Sequence, residues 1–395
     1  MKINFKGEMA SVIAIMGMGT LAMSILGPIM PLYLTSIGVE PVVLGFMLSV
    51  SMAGMAIGES SWGLVADRIG IKLPMVVGTY VCALSVLLLI FTRSVPAIFV
   101  IFFFWGFVRS ALFGPGRGYI GASAPSLKKA TFMAISTIML SASRSLGALP
   151  SGFMVDFWGY HSVFLASSGI TLLAGLLVVT SLRRTQPVNP AASSVTPSPA
   201  DEPVYSDNKF NYFSLSPQCI VTTLRFLGLG ALGTFLPLLA TQVVGVGATE
   251  VGILFTITGL VTVVLGIPMG MLADRIGKKL VMTLGLLVSA GAMAGIAYAQ
   301  SFPLLIVFSA INSTGMAMFS PAALGLLSAS VPLNRQSTAM GLYGGICENA
   351  GIVAGSALAG VVWSTWGPQP TFLMGTVATG LAAVICFALV REKAS

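Results

Sequence analysis

The sequence predicts an all-α membrane protein with 12 transmembrane helices arranged as two pseudo-symmetric six-helix bundles. Three observations lead there: very little charge, apolar blocks long enough to cross a bilayer, and a charged ten-residue segment that returns after about 207 residues.

Apolar residues make up 56% of the 395 and charged residues only 8%, with a mean hydropathy of +0.95. A soluble domain carries roughly 25% charge, so this chain cannot coat a water-facing surface of its size. The apolar residues arrive in blocks of about 20, the length that crosses a hydrocarbon core of roughly 30 Å as a helix rising about 1.5 Å per residue. Only helices and closed barrels satisfy their backbone in lipid, and the blocks lack the alternation of barrel strands. The 45 Gly and 21 Met suit close helix packing and adaptable apolar contacts. Cys82, Cys219, Cys347 and Cys386 fall in or beside apolar blocks with no CxxC spacing. They read as small buried hydrophobes, not as a disulfide framework or a metal site.

In chain order the spans fall at about 9–34, 42–64, 73–92, 96–121, 130–155, 160–181, 218–242, 249–271, 279–299, 303–328, 337–362 and 370–390. The first follows a short polar start, Met1 to Lys6, and is too long for the core of a cleaved signal peptide, so it is expected to be retained. After the sixth span, the stretch Thr185-Gln186-Pro187-Val188-Asn189-Pro190 and an Ala/Ser/Pro-rich run to Pro203 read as a flexible cytoplasmic linker. The predicted organisation is an N-terminal bundle over 1–182, the linker over 183–217 and a C-terminal bundle over 218–395. With both termini cytoplasmic, the cytoplasmic segments collect Lys2, Lys6, Arg68, Lys72, Lys128, Lys129, Arg183, Arg184, Lys209, Arg275, Lys278, Lys279, Arg335, Arg391 and Lys393, while the outer loops hold only Arg93. This distribution follows the positive-inside rule and accounts for the net charge of +8 without a nucleic-acid partner.

The halves match at the shift of about 207. Gly63-Leu64-Val65-Ala66-Asp67-Arg68-Ile69-Gly70-Ile71-Lys72 recurs as Gly270-Met271-Leu272-Ala273-Asp274-Arg275-Ile276-Gly277-Lys278-Lys279. Gly45 falls on Gly252, Gly78 on Gly285, Pro96 on Pro303 and Pro125 on Pro332, and Pro31 meets Pro237 after a one-residue slip. Such a repeat predicts two bundles facing each other across a solute path and able to rock about it.

Both charged segments are expected in short cytoplasmic turns after spans two and eight. Gly63 and Gly270 would permit close backbone approach, and Gly70 and Gly277 can take the positive φ that ends a helical turn. Asp67 and Asp274 suit capping of a neighbouring helix N-terminus, with Arg68, Arg275 and the following lysines as partners or lipid-phosphate contacts. Contacts made while the cytoplasmic side is shut and broken when it opens would bias a two-state equilibrium, so these residues are the expected gate.

These two loops resemble the loop signature of the major facilitator superfamily, and the likeness covers essentially the whole chain. Gly27-Pro28-Ile29-Met30-Pro31-Leu32-Tyr33 resembles the end of the first helix in the drug/proton antiporter branch. Arg109 with Gly114 and Gly116 resembles its fourth-helix arginine motif. Gly147-Ala148-Leu149-Pro150-Ser151-Gly152, followed by Asp156-Phe157-Trp158-Gly159, is similar to the fifth-helix glycine-proline motif of antiporters. The resemblance implies alternating access, proton-coupled export of a small organic solute or drug, protons as the coupling ion, no cofactor, a plasma (bacterial inner) membrane location and function as a monomer among membrane lipids.

Ionisable residues at bilayer depth are costly and usually face a bundle interior or a wet cavity. Arg109 and Arg144, near the middles of spans four and five, have fixed forked donors that suit a carboxylate, a phosphate or an acidic side chain. Glu348, near the middle of span eleven, is the expected proton site, because desolvation favours its neutral form and an approaching arginine its ion. Glu59 and Arg117 lie at similar depths on spans two and four and can brace the first half or belong to the gate. Arg225, two or three turns into span seven, is placed to snorkel. Tyr33, Trp105, Asn312, Tyr343 and Asn349 can line the path or serve as packing contacts. His161 sits at the outer end of span six, where an interfacial role is expected.

Four in-membrane arginines against two glutamates leave uptake or exchange of an organic anion as the alternative to export. An enzyme is not expected: there is no G-x-S-x-G elbow, no H-E-x-x-H, and a single histidine. ATP-driven transport lacks its phosphate loop, since no G-x-x-x-x-G-K-[ST] occurs.

Overall fold

The computed structural model describes residues 5–123, 129–182, 215–331, 340 and 342–390. The predicted linker lies outside them as far as residue 214. The first half consists of α1 (Phe5–Leu26), α2 (Met30–Ser36), α3 (Pro41–Ile69), α4 (Lys72–Phe91), α5 (Val95–Ser123), α6 (Lys129–Trp158) and α7 (Tyr160–Ser181). The second consists of α8 (Ser216–Leu238) with a π-helical continuation (Leu239–Val244), α9 (Ala248–Ile276), α10 (Lys278–Ala297), α11 (Phe302–Ser330), a π-helical segment (Leu342–Glu348) leading into α12 (Asn349–Trp366), and α13 (Pro368–Leu389). Among the described residues, eleven helical runs are long and apolar enough to cross a membrane, α1 and α2 forming one of them. The remaining predicted span is α6, a 30-residue helix diluted by Ser136, Thr137, Ser141, Ser143, Arg144 and Ser145.

The predicted boundaries shift for local reasons. The first span breaks at Gly27-Pro28: Pro28 offers no N–H, and the chain closes the break with Gly27 donating to Met23 O (2.9 Å) and Ile29 to Leu26 O (3.1 Å). α3 and α9 run through the charged repeat instead of stopping before it, so Arg68 and Arg275 occupy a last helical turn, where cations complement the carbonyl end of the dipole. Gly70 (φ +86) and Gly277 (φ +104) then end these helices as the sequence predicts, donating to Ala66 O and Ala273 O.

The repeat is equally visible in packing. In the first half α3 packs on α5, α1 on α6 and α7, and α4 on α5 and α7. The second half reproduces these contacts as α9 on α11, α8 on α12 and α13, and α10 on α11 and α13. The halves meet along two crossed seams, α3 with α12 and α6 with α9.

Their cores distinguish the two ends of the molecule. At the face away from the repeated loops one apolar cluster is shared, joining Leu32, Leu44, Met47 and Phe102 to Phe235, Leu238, Val251 and Trp363. At the loop face each half keeps its own: Met9, Ile15, Met75, Leu112 and Ile120 in the first, Val221, Leu286, Phe319 and Cys386 in the second. The outer surface is apolar in helical stripes, such as Val377, Leu381 and Val384 on α13 and Leu165, Leu172, Leu173 and Leu176 on α7. Stripes of that kind on a chain this hydrophobic face lipid. The protein is an integral membrane protein.

Candidate functional site

In the first half the site centres on Arg109 of α5. The side chain is buried, its Nη2 lies 3.0 Å from the Met55 sulfur and 3.4 Å from that of Met52, and its carbon sits 4.8 Å from the Trp105 ring centroid. Trp105, one turn earlier on the same helix, is thus brought to Arg109. Thioether and ring are weak acceptors, so they hold the guanidinium without neutralising it. Glu59 and Arg144 act on it through space, while its Nε has no hydrogen-bond partner among the described residues. Glu59 is half-buried on α3 and Arg144 exposed on α6. The side chain of Arg117, expected opposite Glu59, lies outside the described residues.

In the second half Arg225 corrects the expectation that it snorkels. It is 0% exposed. Its Nη2 is 3.4 Å from Asn312 Oδ1 and 3.8 Å from the Met316 sulfur, whereas Nε and Nη1 have no partner among the described residues. Depth along a helix was legible in the sequence, but the face on which Arg225 lies was not. Asn312, read from sequence as lining the path or as a packing contact, is buried against this arginine. Each orphaned donor costs about 1–3 kcal/mol, more for a charged group, so this is an expensive arrangement to retain.

Glu348 ends the π-helical segment, where it is half-buried and acts through space on Tyr343 and Cys347. Asn349 donates to the carbonyls of Gly344 (3.4 Å) and Gly345 (3.1 Å), groups that the widened helix exposes. Tyr343 is buried within the second half. Tyr33 also packs internally: its hydroxyl donates to Leu89 O at 2.9 Å and its ring meets Tyr160 and Phe164.

The predicted gate residues are at the loop face, with two corrections. Among the described residues, a side chain on Gly63 would meet nothing within 4 Å and one on Gly270 only Pro321 at 3.5 Å, so neither makes a close backbone approach to them. Asp274 caps no helix; it meets Lys278 at 3.8 Å across the turn, with 71% of its side chain exposed. Arg68 and Arg275 are exposed, and the Asp67 side chain lies outside the described residues.

The opposite face holds a contact that sequence reasoning missed. Asp156 of α6 accepts from the backbone N–H (2.9 Å) and hydroxyl of Thr249, in the first turn of α9. A carboxylate from one half thereby caps a helix of the other, favoured by the positive end of its dipole. Glycines bring the backbones together around it. A Cβ on Gly152 would come within 2.6 Å of Thr249 Cα, one on Gly252 within 2.7 Å of Ala148 O, and one on Gly45 within 3.0 Å of Gly360 Cα. Ser49 donates across the other seam to Val353 O at 2.8 Å.

A model of the Major Facilitator Superfamily matches residues 12–216 and 218–395. The chain belongs to the Major Facilitator Superfamily. Its curated relatives include an uncharacterized MFS-type transporter of Methanocaldococcus jannaschii, 21% identical over 82% of this chain and 83% of the relative. A multi-drug resistance efflux pump of Streptococcus pneumoniae, PmrA, is 25% identical over 86% of each chain. Among solved structures, a bacterial homolog of the human lysosomal transporter Spinster, inward-facing and unoccupied, aligns with a TM-score of 0.75 at 12% identity, covering 98% of this chain and 95% of that one. The superfamily is one of transporters, and the fold of this member is theirs.

Proposed function

We propose that this superfamily member is a secondary active transporter working by alternating access, and that it exports a small amphiphilic organic solute or drug in exchange for protons. The observation that carries the reading is the asymmetry of the cores: one cluster shared by both halves at the face away from the loops, and separate clusters at the loop face. Two rigid halves joined at one end and parted at the other are suited to rock about a central path. With the loop face in the cytoplasm of a plasma membrane, as the basic residues lead one to expect, an exporter would load from the side on which the halves keep separate cores. The relationship to an efflux pump supports that direction.

Glu348 is the proposed proton carrier, being the acidic residue of the second half at membrane depth; Glu250 and Asp274 lie at its two ends. Arg109, with Glu59 and Arg144 in electrostatic reach, is the proposed recognition group of the first half. No cofactor is required, and one chain forms the whole path. A ligand-stability screen across pH selects the solute, and flux into proteoliposomes then tests direction. Antiport predicts accumulation driven by an acidic lumen; accumulation driven by an acidic exterior would replace export with proton-coupled uptake.

A further inference from the structure

We infer that Arg225 is the head-group subsite for an oxyanion, a carboxylate or phosphate monoester, carried by the transported solute. The inference rests on the transport reading and deepens it by naming the chemistry of the cargo.

The acidic residues of the described second half are Glu250, Asp274 and Glu348. Glu250 bonds the backbone of Gly247 at the far end of α9, and Asp274 meets Lys278 at the loop face. Glu348 acts through space on Tyr343 and Cys347. A fully buried guanidinium thus has one long contact to an amide oxygen, a sulfur, and two nitrogens without acceptors among the described residues. A buried ion in that condition calls for a counter-charge. The free N–H groups are planar forked donors of the kind that bind carboxylates and phosphates.

The surroundings are polar. Gln218, Thr222 and Arg225 form one buried polar stripe on α8, and Gln218 reaches Ala323 O of α11 at 2.6 Å. Long polar side chains bridge these two helices, which are not among the closely packed pairs. Nine residues separate Arg225 from the start of α8 at the loop face, about 14 Å at the helical rise of about 1.5 Å per residue. The repeat adds an independent indication. At the shift of about 207, Asn312 and Met316 correspond to Trp105 and Arg109, so Arg225 reaches across to the position that Arg109 occupies in the first half. Each half therefore brings a guanidinium to the same depth, the second from a different helix.

The test compares probes sharing one apolar body: butylbenzoate, butylphenyl phosphate and the neutral butylbenzyl alcohol, titrated onto purified full-length protein in nanodiscs at neutral pH. Wild type is expected to bind the better anion about tenfold or more tighter than the alcohol, and the order of the two anions identifies the head group. R225M should erase that preference and R225K keep part of it. N312D supplies an internal counter-ion, and so should erase the preference while raising the unfolding temperature, a result that does not depend on R225M folding. No preference in wild type, or a preference that survives R225M or N312D, overturns the site. Binding is read without flux: anion binding without saturable counterflow would sink the transport reading alone, and counterflow with an unchanged preference in N312D would sink the subsite alone.

Discussion

The two faces of this molecule come from the same repeat and are held in opposite ways. Away from the loops, backbones of the two halves touch through Gly45, Gly152, Gly252 and Gly360, and Asp156 caps a helix across the seam. At the loop face each half keeps an apolar cluster of its own, and Asp274 pairs within its own half. The difference teaches that, among the described residues, the contacts joining the halves lie away from the repeated charged motif.

The largest effect should come from filling the closed seam. G152L places a side chain against the backbone of Ala248 and Thr249, which cannot yield as a flexible side chain would. Overpacking of this kind costs about 1–3 kcal/mol, so transport should fall by about tenfold or more, and a cysteine placed at Val243 should become more reactive to alkylation. Unchanged transport and labelling would mean that the seam is not a working contact. E348Q comes next: it should abolish most gradient-driven movement while sparing gradient-free exchange. Equal loss in both assays at normal abundance would remove Glu348 as the proton carrier.

D156N should have a moderate effect. Weakening an inter-half cap costs about 1 kcal/mol, shifting the balance toward opening of that face by about fivefold, as read by labelling of Thr249→Cys relative to the same cysteine in the unaltered background. The smallest effect belongs to D274N, since an exposed i,i+4 pair contributes about 0.3–0.5 kcal/mol. Its unfolding temperature should hardly move, and a large drop would show that the loop face is more tightly organised than its open packing implies.

Much of the fold was legible because it follows from solvent and period. Lipid forces helices, length sets the spans, and the returning Ala-Asp-Arg-Ile-Gly segment announces two halves. Gly70 and Gly277 could be read as helix ends, since a positive φ is a property of the residue type. The helices nonetheless run through the motif, because Asp and Arg are compatible with a last turn as well as with a loop. What stayed hidden depended on facing and on distance across the seam. Tyr33 could be read either as a path residue or as a packing contact, and its hydroxyl donates to Leu89 O. Arg225 looked able to snorkel, since its depth was readable and its side of the helix was not. Asp156 stood in a recognised motif, but its partner Thr249 lies 93 residues on, in the other half.

The most direct measurement is a pair of distances across the halves in nanodiscs, from spin labels at Arg68 and Arg275 on the loop face and at Phe157 and Val243 on the opposite face. Alternating access predicts that a change of pH or added solute shortens the first distance while lengthening the second. Distances that stay fixed, or that lengthen together under every condition in which flux is observed, would contradict the account.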